Sequence, residues 1–137
     1  MSASDYLELS LANHIFTGTV TFANPAILLI GLFTTMPEED GTGGVEPAAD
    51  EYARVAYGPG EAFWTVATDG SGEVTNADYI VFPDPTGDDW GTILGVGIYD
   101  ESGNLLFAEL LGTPKVVLGG DNPAPEFRPG SIVLTIS

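Results

Sequence analysis

The sequence predicts an all-β fold: a single antiparallel β-sandwich or barrel-like domain carrying one short N-terminal α-helix. Two observations carry most of this. From residue 51 onward, short apolar and aromatic runs alternate with Gly, Pro, Asp and Asn clusters, and no helical pattern intervenes. Helical periodicity is confined to the first 17 residues. The length of 137 residues and the apolar fraction of 44% fit one domain with a core of its own.

The elements follow in chain order. Ser4 can cap a helix, Asp5 and Glu8 lie in its first turn, and Gly18 lies beyond its end. Leu7, Leu11 and Ile15 recur at i, i+4 and i+8 as one apolar stripe, which Tyr6, Leu9 and Phe16 widen. A helix of about three turns is marginal alone, so the stripe needs a surface to pack on. Residues 1–17 therefore read as an anchoring or oligomer-contact segment, and residues 18–137 as the β body. Ala26 to Thr35 is apolar on both alternating faces, as in a strand covered twice. One cover is the core; the other is the helix or a neighbouring subunit. Met36 to Glu51, with six acids, reads as a solvated loop. Further strands are expected at Tyr52–Tyr57, Ala62–Ala67, Glu73–Phe82, Ile93–Tyr99, Asn104–Leu111, Lys115–Leu118 and Ser131–Ser137. DGSG at 69–72 is a turn, and DESGN at 100–104 a hairpin connection. In the Asn104 strand, Leu106, Ala108 and Leu110 should face inward and Glu109 outward.

Charge excludes several partners. Twenty acids face Arg54, Lys115 and Arg128, for a formal net charge of -17. Nucleic-acid affinity comes mainly from cationic contacts, and anionic membranes attract base, so neither partner is expected. Acidity of this kind serves solubility or a saline setting. No apolar run reaches the length of a membrane span, and MSASDYLELS places acid where a signal peptide carries base. The expectation is a soluble chain with no leader. Cysteine is absent, which removes disulfides, thiol nucleophiles and thiolate metal sites.

The residues give little support to catalysis, and no enzyme activity, cofactor or metal is expected. There is no nucleophile elbow, P-loop or dinucleotide fingerprint. His14 belongs to the last turn of the helix, where a partial positive charge suits the dipole. Asp88 and Asp89 beside Trp90 could form a glycosidase pair, but no spacing singles them out among twenty acids. Asp40 and Asp69 head Gly-rich turns that lack the distal bidentate Glu of a calcium loop. Trp64, Trp90 or Tyr99 could serve a carbohydrate-binding module, although core packing is the commoner use of such rings, as it is for Tyr52, Tyr57 and Tyr79. Arg54, inside a strand, is expected to form a structural ion pair with a carboxylate.

Five blocks in order carry a resemblance: SDYLELSLANHIF, AILLIGLFTTMP, EYARVAY, the stretch from ADYIVFPDP through WGTILGVGIYDESGNLLFAELLGTPKVV, and FRPGSIVLTIS. Together they resemble the small tail-fibre-type virion structural proteins of tailed bacteriophages. Lysine and arginine are scarcer here than in that pattern. The resemblance implies a structural role in virion assembly or host contact, on the exterior of head or tail after assembly in the host cytoplasm, and no catalytic residues. A capsid decoration protein would meet the same physical demands. The expected partners are other virion proteins and the chain itself, as a trimer or higher homo-oligomer, with Tyr6, Leu7, Leu11, Ile15 and Phe16 at the oligomer or particle interface.

Overall fold

The structure, a computed structural model, describes residues 3–19 and 22–136. Met1 and Ser2 of the expected anchoring segment, and Ser137 of the expected closing strand, lie outside the described residues. The chain is all-β apart from its N-terminal helix. Helix α1 (Asp5–Ala12) runs into one π-helical turn (Asn13–Thr17). Strands follow at β1 (Leu29–Phe33), β2 (Val55–Ala56), β3 (Trp64–Val66), β4 (Glu73–Asn76), β5 (Ile80–Val81), β6 (Gly91–Tyr99), β7 (Leu105–Val117), β8 (Glu126–Phe127) and β9 (Val133–Thr135). They form three antiparallel sheets with orders β2-β1-β6-β7, β3-β4-β9 and β5-β8. The arrangement is sandwich-like.

One face of the four-stranded sheet makes the main core. Ile30 and Leu32 of β1 and Ile93, Val96 and Ile98 of β6 pack against Ile80, Phe82, Phe127 and Leu134 from the two smaller sheets. The opposite face is also covered. There Phe33, Tyr99, Leu105 and Ala108 form a second cluster with Leu29 and Met36. Double coverage explains the unbroken apolar run of β1. Much of the second cover comes from residues 36–46 of the same chain. Val45 pairs with Thr35 through N–H···O bonds of 3.0 and 3.3 Å. The acid-rich segment is therefore exposed at its tip but folded back at its base, with Pro47 and Ala49 buried.

Three glycines make this second layer possible. A Cβ at Gly31 would stand 2.7 Å from the Glu46 carboxylate, and one at Gly97 would stand 2.6 Å from the Phe33 ring. One at Gly95 would overlap the Met36 sulfur and lie 2.5 Å from the Glu109 carbonyl oxygen. Side chains thus lie flat on backbone where a pleated sheet would otherwise hold them away.

Several expectations shift, each for a local reason. The helical period breaks at Asn13, where i→i+5 bonding begins; Gly18, at φ 64°, closes the turn with its N–H on the Asn13 carbonyl. Leu7, Leu11 and Ile15 do not form one buried stripe: Leu7 is buried against the body, Leu11 at the end of α1 is exposed, and Ile15 lies beyond the change of period and is exposed as well. Leu110 faces out at 64% exposure, not in. A bulge at Leu106, between the Tyr99–Leu105 and Ile98–Phe107 pairs, moves the alternation by one residue. Lys115–Leu118 is no separate piece, since β7 runs on through Pro114, which an edge strand tolerates. The expected strand 73–82 divides after Asn76. The buried Asn76 amide donates to the carbonyls of Asp78 (2.9 Å) and Arg128 (2.8 Å) and accepts the Ile132 N–H (2.9 Å), turning the chain from one small sheet to the other.

The crowding at Gly95 makes a direct expectation. Gly95→Ala should lower unfolding free energy by about 1–3 kcal/mol, because one clashing atom is backbone and cannot swing aside. Gly112→Ala, with open space around its Cβ, is the control. Urea denaturation of both variants measures the difference.

Candidate functional site

Two places gather the residues that composition singles out. The first lies on the second face of the large sheet. Glu46, delivered by the folded-back loop, receives Arg54 through Nε (3.0 Å) and Nη2 (2.9 Å). The same carboxylate accepts the Tyr52 hydroxyl at 2.7 Å, and that hydroxyl accepts the Leu32 N–H at 2.8 Å. The Arg54 guanidinium lies 3.5 Å over the centre of the Tyr99 ring. A bidentate carboxylate on one side and an aromatic face on the other fix the guanidinium by charge and by shape. The Leu32 N–H, beyond the short β2 pairing, thereby finds a partner.

The electrostatics follow from partial burial. Burial alone would raise the Glu46 pKa, but the hydrogen bonds from Arg54 and Tyr52 and the Arg54 charge outweigh it, so the carboxyl titrates below its ordinary 4.5. The Glu46 hydrogen bond raises Arg54 further still. Tyr99 is pushed up to about 12, mainly by burial and then by the Glu46 charge. Tyr52 is raised as well, again mainly by burial. All four groups keep fixed protonation states near neutrality, as a structural clamp requires.

The second place is the N-terminal segment. Ser4 is buried, with its N–H on the Leu106 carbonyl at 2.8 Å and its hydroxyl on the Leu105 carbonyl. Its oxygen also accepts the Leu7 N–H at 3.3 Å, capping α1. Ala3 bridges Phe107. The segment is thus sewn onto the edge of β7, with Leu7 beneath it. Tyr6, Leu11, Ile15 and Phe16 remain on the outer side, Ile15 at 66% and Phe16 at 84% exposure. Of the five expected interface residues, the fold leaves four available and uses Leu7 for itself.

Most of the other candidates have structural partners. The Asp89 carboxylate accepts the Gly119 N–H at 2.7 Å. Trp90 is buried, with its indole N–H on Glu51 at 3.1 Å. Trp64 donates to the Tyr57 carbonyl at 3.1 Å, and the two rings meet edge to face at 5.2 Å. Tyr99 lies under Arg54. The three rings considered for sugar stacking are therefore packing elements. Tyr52 and Tyr57 are packed too, whereas Tyr79 is exposed. Asp40 accepts the Thr42 N–H and hydroxyl, and Asp69 the Ser71 N–H, so both heads of the Gly-rich turns shape their own loops. His14 accepts the Phe22 N–H at Nδ1, 3.3 Å away. No helix among the described residues is long and apolar enough to cross a membrane.

Sequence reasoning marked Arg54 but not Glu46 or Tyr52. The EYAR block did carry a hint, since Tyr52 and Arg54 at i and i+2 share one side of an extended segment. Glu46, among six acids in its loop, had no distinguishing signal.

A carboxyl whose pKa falls on folding stabilises the folded state at pH above 4.5 and loses that contribution as pH drops through its folded value. Glu46→Gln should cost about 1–3 kcal/mol at pH 7, at the lower end because the pair is partly exposed. The gap from the unaltered chain should narrow below pH 4.5. Denaturant midpoints from pH 7 to 3 test this; a gap that stays constant would show that the carboxylate charge contributes nothing.

No curated protein matches this chain. The family model described as Podophage GP4 fiber I protein gp80 matches residues 2–135, which takes in both the Arg54 clamp and the N-terminal segment. With that match running over nearly the whole length, the chain belongs to the Podophage GP4 fiber I protein gp80 family of phage fibre proteins.

Proposed function

We propose that the chain is a self-associating structural subunit of a phage tail fibre, joined to its own copies and to other virion proteins through the outer side of its N-terminal segment. Its place on the exterior of the particle would serve virion assembly or contact with the host. One observation carries this reading: the large apolar residues Ile15 and Phe16 project from a protruding turn while the sandwich below already has a filled core. Tyr6 and Leu11 extend the same outer side. Covering such side chains contributes about 1.5–3 kcal/mol each, which makes a protein surface their natural counterpart. The packed state of Trp64, Trp90 and Tyr99, and the clamp-like use of Arg54, support a structural role over ligand chemistry.

Removing the whole segment would also remove Ser4 and Leu7 from the fold, so the sharper experiment is Ile15→Ser with Phe16→Ser. Cooperative unfolding should change by no more than about 0.5 kcal/mol, as for other surface substitutions. Oligomeric mass and incorporation into particles should fall. Leu7→Ala should instead cost about 2–4 kcal/mol by leaving a cavity. Unaltered assembly in the Ile15/Phe16 variant would refute the reading.

A further inference from the structure

The two ends of β7 carry different chemistry. At its start, Ser4 and Ala3 fasten α1 to Leu106 and Phe107. The outward side of α1 joins the acids Asp5 and Glu8 to the exposed apolar residues Leu9 and Ala12, opposite the buried Leu7 and Ser10. At its other end, Lys115–Leu118 and the loop 122–126 enclose an open groove of about 660 Å³. Its walls include Val116 and Leu118, both more than half exposed, together with Pro123 and Pro125.

Charge marks this groove among the surfaces of an acidic chain. Among the described residues, Arg54 is the one cation in an ion pair with a carboxylate. Lys115 lines the groove, its Nζ donating to the Glu126 carbonyl at 3.1 Å and lying 5.3 Å from the centre of the Phe127 ring. Arg128 is exposed two residues beyond Glu126. Glu126 lines the groove, Asp121 belongs to the adjoining loop and Asp89 accepts the Gly119 N–H beside Leu118, so two cations stand among three acids here, in a chain that carries one other cation and a net charge of -17. An acidic helix meets less repulsion here than over the rest of the surface, and two cations are free to pair with it.

The helix cannot come from the same chain. Ten residues of strand separate Leu106 from Val116, up to about 33 Å, and Ser4 holds α1 at the near end. We propose that the outward side of α1 from one copy docks in the groove at the far end of β7 of the next copy, setting Asp5 and Glu8 against Lys115 and Arg128 and placing Leu9 and Ala12 on Val116 and Leu118. This rests on the self-association reading above and names its receiving surface. The contact is heterologous, so it builds a closed ring or a head-to-tail stack.

Charge reversal on the full-length chain tests it. Asp5→Lys/Glu8→Lys alters the helix, and Lys115→Glu/Arg128→Glu alters the groove. Sedimentation is read at about 0.1 M salt, where a Debye length of about 10 Å damps overall repulsion but leaves adjacent pairs felt. The unaltered chain should sediment as an oligomer and each double variant as single chains. An equimolar mixture of the two should associate again, because every contact between unlike copies then joins opposite charges. Recovery also shows that both variants fold; the single substitutions Glu8→Lys and Arg128→Glu serve if a double variant unfolds. An unaltered chain that sediments singly overturns self-association itself. Variants that keep the full oligomer mass, or folded variants that stay single on mixing, overturn the groove contact and leave self-association standing.

Discussion

The β1–β6 pair is covered on both faces by its own chain, and the remaining structure is arranged around that constraint. On one face, branched side chains interlock with two small sheets. On the other, Gly31, Gly95 and Gly97 remove the side chains that would hold a cover away, and Glu46, Phe33 and Met36 settle against the backbone. The second layer is thin and partly polar. Polar groups near backbone must be satisfied, and the path from the Leu32 N–H through Tyr52 and Glu46 to Arg54 does so. The loop that looks like a solvated excursion in the sequence is in fact half of a wall.

Much of the architecture was legible because it rests on local pattern. The strands at β1 and β6, the DESGN hairpin, the Ser4 cap and the closing β9 all follow from period, turn chemistry and capping. What escaped depended on partners distant in sequence. Asn76 breaks a strand-like run because its amide serves the Arg128 carbonyl and the Ile132 N–H, far down the chain. The bulge at Leu106 reverses which face Leu110 takes, and nothing within LLFAELL announces it. The π turn at Asn13 spoils a helical stripe that is regular in sequence. At the candidate site, the type of partner for Arg54 could be foreseen from the surplus of acid, but which acid could not. The exposure of Ile15 and Phe16 was likewise a matter of where the helix period fails.

Acidity shapes this family member's encounters by exclusion more than by attraction. With three cations in the chain, one is committed to the Glu46 clamp and two lie toward the end of the sandwich where β7 and β8 finish. In the self-association proposed above, the surplus of acid would keep copies apart except where apolar surface and the remaining cations coincide. In that setting net charge acts as a filter on geometry: most orientations of approach are repelled, and the few less negative ones are favoured without being especially adhesive.

The Asn76 amide has a consequence for the timing of folding. Its Ile132 partner lies 56 residues onward, and β4 and β5 pair with β9 and β8 from the last part of the chain. During synthesis, the two small sheets therefore wait for residues that emerge at the end, while Ile30, Leu32 and Val96 lack their facing layer. A chain ending before β8 leaves that apolar face open, the condition that exposes a polypeptide to proteolysis. Completion of the last two strands is thus what closes the core, so the chain's end decides whether its middle is sheltered.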